Sequence, residues 1–174
     1  DYYVEVPESA DAALALDWLA EQPGLSASGL WHRVIRGRAT LPGGEDEEET
    51  RVDVFAIGPV GPLVTGWELF DSAPPPWQRL QPGQGVMVNE QLARRQDIAV
   101  GQTLTVLFGS QSFEFPVLAI YPDYGRPAGE ILIHPSVLPA DFTTGFQSLS
   151  VSPGNLSIEE VTNGLKQVWQ VDSL

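Results

Sequence analysis

Two histidines, His32 and His134, are the first residues to weigh, because imidazole is the commonest general base and metal ligand near neutral pH. Neither has a helpful neighbour two or four positions on, and a metal site wants several His, Cys or carboxylate donors in close order. His32 sits in a β-like run beside Trp31, and His134 precedes Pro135 at a strand end. Both read as structural or surface residues. The run Glu45-Asp46-Glu47-Glu48-Glu49 could present carboxylate oxygens to a divalent cation. It lacks the ordered ligand spacing and turn glycine of a dedicated loop, so it reads as a solvated hairpin tip. There is no G-x-S-x-G elbow, no S-x-x-K and no P-loop, and Gly83-Gln84-Gly85 precedes a strand instead of following one. The chain has no cysteine, which removes disulfides, thiol nucleophiles and thiolate metal sites. The expectation is no catalytic residue, no cofactor and no metal.

What remains is contact chemistry. Trp67, Phe70 and Trp77 are embedded in a stretch rich in Gly and Pro, with Pro74-Pro75-Pro76 between them. Such aromatics line a groove for a partner or an apolar ligand, or form a small core under a long loop. Tyr121 and Tyr124 bracket the compact turn Tyr121-Pro122-Asp123-Tyr124-Gly125, where Asp123 and Gly125 have ordinary turn chemistry. Trp67, Phe70, Trp77, Tyr121 and Tyr124 are the candidate contact residues.

The elements that position them follow from periodicity. Tyr2 to Val6 reads as a strand, and residues 10–22 carry a helical apolar stripe, with Ser9 offered as its N-cap and Pro23-Gly24 closing it. Residues 26–40 and Arg51 to Ile57 form strands of a long hairpin around the acidic tip. Val86 to Asn89 is a short buried strand running into a helix that Asn89 caps. Thr103 to Phe108 alternates, turns at Gly109-Ser110 and returns, with Pro116 marking an edge or a bulge. Glu130 to His134 and residues 146–151 are further strands. Ser157 to Glu160 is a capping box that opens a helix to Trp169. It explains Ser157 better than the Asn155-Leu156-Ser157 sequon does. Gly164 weakens that helix, and Val171 offers the start of a last strand.

The chain therefore opens strand–helix–strand and closes strand–helix. This is an α+β organisation: one lobe of split β-α-β halves, a sheet with helices on one face. It is expected to span 1–60 and 135–174 and to be interrupted by a smaller β-rich lobe over 61–134 with one short helix.

Charge narrows the partners. With 23 acidic and 9 basic residues, the net charge of −14 argues against nucleic acid and against a basic patch on anionic lipid. No stretch of about 18 apolar residues is present to span a membrane. The abrupt start at Asp1 reads as a piece of a longer protein.

The segment from Gly85-Val86-Met87-Val88-Asn89-Glu90-Gln91-Leu92-Ala93 through Val100-Gly101-Gln102-Thr103-Leu104 resembles a recurring phrase. It is similar to the extracytoplasmic domains of FtsX-like ABC transporter permeases of the MacB type. There, a strand leads to (N/S)-E-x-(L/F)-A, then a V-G-(D/Q)-T-(L/I) turn, then a hairpin. Leu118 to Gly125 resembles the return strand of one branch, with Ala119 where Gly is usual and Gln102 where Asp is commoner. The match covers about residues 83–134, and the flanks agree in pattern.

The resemblance implies a non-catalytic periplasmic domain of a bacterial inner-membrane permease. Such a domain couples cytoplasmic ATP hydrolysis to movement of a periplasmic substrate or partner. It implies as partners the flanking transmembrane helices, a cytoplasmic ATPase subunit through the membrane part, and a second permease copy or a periplasmic protein. It also implies that both ends emerge on one side. The alternatives are a stand-alone ligand-binding module using the Trp67–Trp77 loop, and a hydrolase for which two isolated histidines are poor material.

Overall fold

The computed structural model describes residues 2–8, 10–23, 31–45, 47–58, 66–123, 127–142, 145–151 and 156–174. The fold is α+β, as expected. Strand β1 (Tyr2–Glu5) leads to helix α1 (Ala12–Glu21), then to the long hairpin β2 (Trp31–Leu41) and β3 (Thr50–Gly58). A two-residue strand β4 (Asp71–Ser72) and a short helix α2 (Pro76–Leu80) precede β5 (Val86–Asn89) and α3 (Glu90–Arg95). The hairpin β6 (Thr103–Phe108) and β7 (Gln111–Tyr121) is followed by β8 (Glu130–Ile133) and a 3₁₀ turn over Pro135–Val137. Strand β9 (Phe146–Val151) and helix α4 (Ile158–Trp169) complete the order.

Helix α1 starts later than its apolar pattern suggests. Asp11, not Ser9, is the N-cap, and its carboxylate accepts the Ala13 N–H at 2.8 Å; Ser9 lies outside the described residues. The buried stripe is therefore Ala12, Ala15 and Leu19, while Leu14 is exposed. Helix α4 carries the expected capping box, with Ser157 and Glu160 bonded reciprocally, and buries Val161, Leu165 and Trp169. Val171 starts no strand. Gln170 is left-handed at φ 55°, and the Val171 N–H turns back to the Lys166 carbonyl, which ends the helix locally.

The strands form one mixed sheet in the order β1-β9-β2-β3-β8-β5-β7-β4, with β6 joining β7 to β2. In the first part, β9 lies between β1 and β2, both antiparallel to it. Its Leu149 and Val151 face α1 and α4, giving the core of Val4, Leu19, Leu165 and Trp169. That is the split β-α-β arrangement with helices on one face.

The second part closes on itself. Strands β2, β3, β8, β5, β7 and β6 pair in succession, and β6 returns to β2 through Thr40 opposite Leu107. Alternation sends Val52, Val54, Val88, Val106, Phe115 and Ile131 inside this ring, and Leu92 of α3 packs against the same core. The opposite residues, Phe55, Ile57, Met87 and Leu132, point outward and are covered by Leu80, Leu69 and Trp77. The register of β7 against β5 shifts at Leu118, between Val86 and Met87, whereas Pro116 pairs in regular register with Thr103 of β6 and lies before the pairing with β5 begins.

Candidate contact surface

The aromatics of residues 66–77 belong to the outer face of the closed strands. Trp67 stacks nearly parallel on Phe55 of β3, with ring centroids 6.0 Å apart and planes 8° apart. It meets Trp77, in the first turn of α2, edge-on at 6.1 Å. Both geometries are favoured by the ring quadrupoles. Trp67 remains 38% exposed and Phe70 55% exposed, so together they present apolar surface beside the short edge strand β4. The Phe70 N–H is fixed by the Ile120 carbonyl at 2.8 Å, so the exposed ring stands on a backbone tied to β7.

Beneath the aromatics lies a polar chain that the sequence does not reveal. The Arg36 guanidinium sits 4.3 Å from the centre of the Phe55 ring and reaches Glu130 Oε2 at 3.2 Å. Glu130 is 3% exposed, and its other oxygen accepts the Tyr121 hydroxyl at 2.8 Å. Its backbone N–H donates to Asn89 Oδ1 at 3.0 Å, and the same oxygen accepts the Leu92 N–H at 3.1 Å as the N-cap of α3. Burial, and then the charge and hydrogen bond of Glu130, push the Tyr121 phenol well above its usual range. It therefore stays a neutral donor. A buried carboxylate needs such partners, because an unpaired one costs several kcal/mol of desolvation.

The five candidate contact residues thus separate. Trp67 and Trp77 touch each other, Phe70 is exposed nearby, Tyr121 is buried in the polar chain, and Tyr124 lies outside the described residues. Arg36, Phe55 and Glu130 were not singled out by sequence. The one signal for Glu130 is a charge opening an otherwise apolar strand, Ile131 to Ile133.

Of the histidines, His134 accepts the Ser136 N–H on Nδ1 at 3.2 Å, capping the 3₁₀ turn. Burial lowers its pKa. The side chain of His32 lies outside what the structure describes. Among the described residues no group of three or more His, Cys, Asp or Glu is gathered as metal ligands would be.

A search of solved structures gives an alignment over nearly the whole chain. The periplasmic region of MacB from Actinobacillus actinomycetemcomitans aligns with a TM-score of 0.66 at 14% identity, covering 94% of this chain and 76% of that one. The chain has the MacB periplasmic fold. The extracellular domain of the noncanonic ABC-type transporter YknZ from Gram-positive bacteria aligns at a TM-score of 0.60 and 12% identity, over 96% of this chain and 90% of that one. A domain assigned to a permease protein of Porphyromonas gingivalis gives 0.60 at 16% identity, over 87% and 73%. No family model and no curated protein sequence matches the chain. The MacB-like architecture therefore extends well beyond the 83–134 segment whose residues resemble the family.

Proposed function

We propose that the chain is a non-catalytic extracytoplasmic domain of an ABC transporter permease, on the outer face of a bacterial inner membrane. It couples ATP hydrolysis by a cytoplasmic subunit to the movement of a periplasmic substrate or partner. The observation that carries this reading is a fold shared with MacB and YknZ transporter domains over 94% and 96% of the chain. A second feature supports it. Tyr2 and Tyr3 line one depression together with Ser173 and Leu174, so the two ends meet on one side, as a domain hung between two membrane segments requires. The lobe division at 1–60 with 135–174 and at 61–134 belongs to the same reading.

Trp67 and Phe70 are the partner-contact surface in this account. Their backing suits transmission of force, because Trp67 rests on Phe55, Phe55 on Arg36, and Arg36 on a buried hydrogen-bonded carboxylate. The partners are the flanking membrane helices, the ATPase through them, and a second permease copy or a periplasmic protein.

The chain contains no cysteine, and any cysteine elsewhere in the parent polypeptide is first changed to serine so that only the introduced thiol reports. Ser173→Cys in the parent polypeptide is exposed to a membrane-impermeant maleimide in intact cells, and labelling before lysis is expected. Labelling only after lysis would sink the extracytoplasmic assignment. In the same parent, the Trp67→Ala/Phe70→Ala pair is expected to keep normal protein levels and lose transport-coupled ATPase stimulation.

A further inference from the structure

Strand β1 closes one end of the sheet order. It pairs with β9 on one side and with no strand on the other among the described residues. The pairing tells which backbone groups are left over. The Val6 N–H donates to the Gln147 carbonyl at 2.9 Å, in the register that sets Val4 opposite Leu149 and Tyr2 opposite Val151. In an antiparallel ladder, bonded and outward-facing residues alternate. Tyr3 and Glu5 therefore turn their N–H and C=O groups away from the sheet.

A depression of about 510 Å³ runs along this edge, walled by Tyr2 to Glu5 on one side and by Ser173 and Leu174 on the other. A second of about 280 Å³ shares Glu5 and Pro7 with it and continues to Phe146. The larger falls in the range of ligand clefts, about 300–1,000 Å³. Tyr3 is 66% exposed, and the walls contain Glu5 and Glu8 but no Lys, Arg or His.

We propose that this edge captures an extended basic peptide segment by strand addition. Tyr3 and Glu5 supply the main-chain bonds, Glu5 and Glu8 select cationic side chains, and Tyr3 and Phe146 receive apolar ones. Exposed edges are commonly blunted by charge or proline. Glu5 does that here against acidic chains while leaving the edge open to basic ones, and Pro7 ends the edge. A second copy is a poor occupant, because each copy carries a net charge of −14. The proposal does not use Trp67 or Phe70, and it shares with the permease reading only the depression between the two ends.

Labelled acetyl-Lys-Val-Arg-Val-Lys-Val-amide is titrated into the 174-residue chain by fluorescence anisotropy. Two relatives run alongside: the same peptide N-methylated at alternate amides, and an acidic peptide with Glu and Asp in place of Lys and Arg. Saturable binding of the basic peptide is expected, with none for the acidic one. N-methylation removes main-chain donors and is expected to weaken binding roughly tenfold. Tyr3→Pro removes one outward N–H without touching the β9 ladder and should weaken binding several-fold, while Trp67→Ala leaves it unchanged.

The proposal fails if the basic peptide does not bind, or if the N-methylated peptide binds equally well, since charge attraction alone would then explain it. It fails also if a folded Tyr3→Pro binds as tightly as the unmodified chain. A dimer that Tyr3→Pro dissolves would assign the edge to a second copy instead. Should Tyr3→Pro not fold, the N-methylated peptide on the unmodified chain decides.

Discussion

Gly164 sits in the interior of α4, where glycine normally costs about 1 kcal/mol relative to alanine. From sequence it is a weakness in the helix. In the fold, a Cβ there would lie 2.1 Å from Cζ2 of the Trp18 ring and 2.4 Å from Cη2, so the glycine is the seat on which α1's tryptophan rests. Gly164→Ala is therefore expected to destabilise, by about 1–3 kcal/mol, because overpacking outweighs the propensity gain. Urea unfolding measures it, and Trp18→Leu in the same chain should recover most of the loss. A stabilised single variant would contradict the packing account. His134 makes a second residue-scale case. Burial lowers its pKa below the ordinary histidine value, and its Nδ1 accepts a backbone N–H that a proton would displace. The unfolded chain then binds the proton more readily than the native one. The contribution is intact above about pH 6.5 and is lost as the pH falls through that value toward the lower native pKa. His134→Asn can still cap the turn but does not titrate. Its thermal midpoint should drop less than that of the unmodified chain between about pH 7.5 and pH 5.5.

At the scale of elements, Asn89 shows how far sequence reasoning reaches. Its position between a buried strand and an apolar helix start is enough to predict an N-cap, and the Leu92 N–H bond is there. Its second bond, to the Glu130 N–H 41 positions away, depends on β8 lying beside β5, which no local pattern encodes. The same limit hides Glu130, whose partners Arg36 and Tyr121 come from β2 and β7. Local signals such as caps, the β6–β7 turn and the acidic hairpin were legible. Pairings between distant strands were not, and they assemble the polar chain beneath Trp67. Because Asn89 ties α3 to β8, Asn89→Ala removes a cap and leaves a buried N–H without its acceptor. A loss of about 1–3 kcal/mol in denaturant unfolding is expected. Asn89→Asp keeps the acceptor but adds a charge beside Glu130. It should fail to rescue near neutral pH and improve as the solution is made acidic, which separates the bond itself from simple shape.

The whole molecule turns on β2 and β3. Strand β2 pairs with β9 of the helix-covered part and also with β3 and β6 of the closed strands, so one hairpin belongs to both cores. Ile35 packs in the closed core, while Arg33, two residues before it, donates from Nη2 to Gln147 of β9 at 2.6 Å. A division into two lobes, read from the interrupted pattern of strands and helices, does not therefore imply two independent folding units. Losing β9 and α4 exposes one flank of β2, and opening β2 breaks the Thr40–Leu107 pair that closes the ring. Two-state unfolding requires that all probes move together. Trp18 and Trp169 report on the helix-covered core, and Trp67 and Trp77 on the outer face of the closed strands. Variants that retain either pair, with the remaining tryptophans changed to Phe, should give coincident urea transitions. Leu149→Ala, buried only in the helix-covered core, should shift both by the same free energy, about 2–5 kcal/mol. Transitions that separate, with the Trp67–Trp77 signal unmoved by Leu149→Ala, would mean that the shared hairpin holds two autonomous lobes side by side. Motion imposed at one end of the chain would then not reach the aromatic surface through the fold.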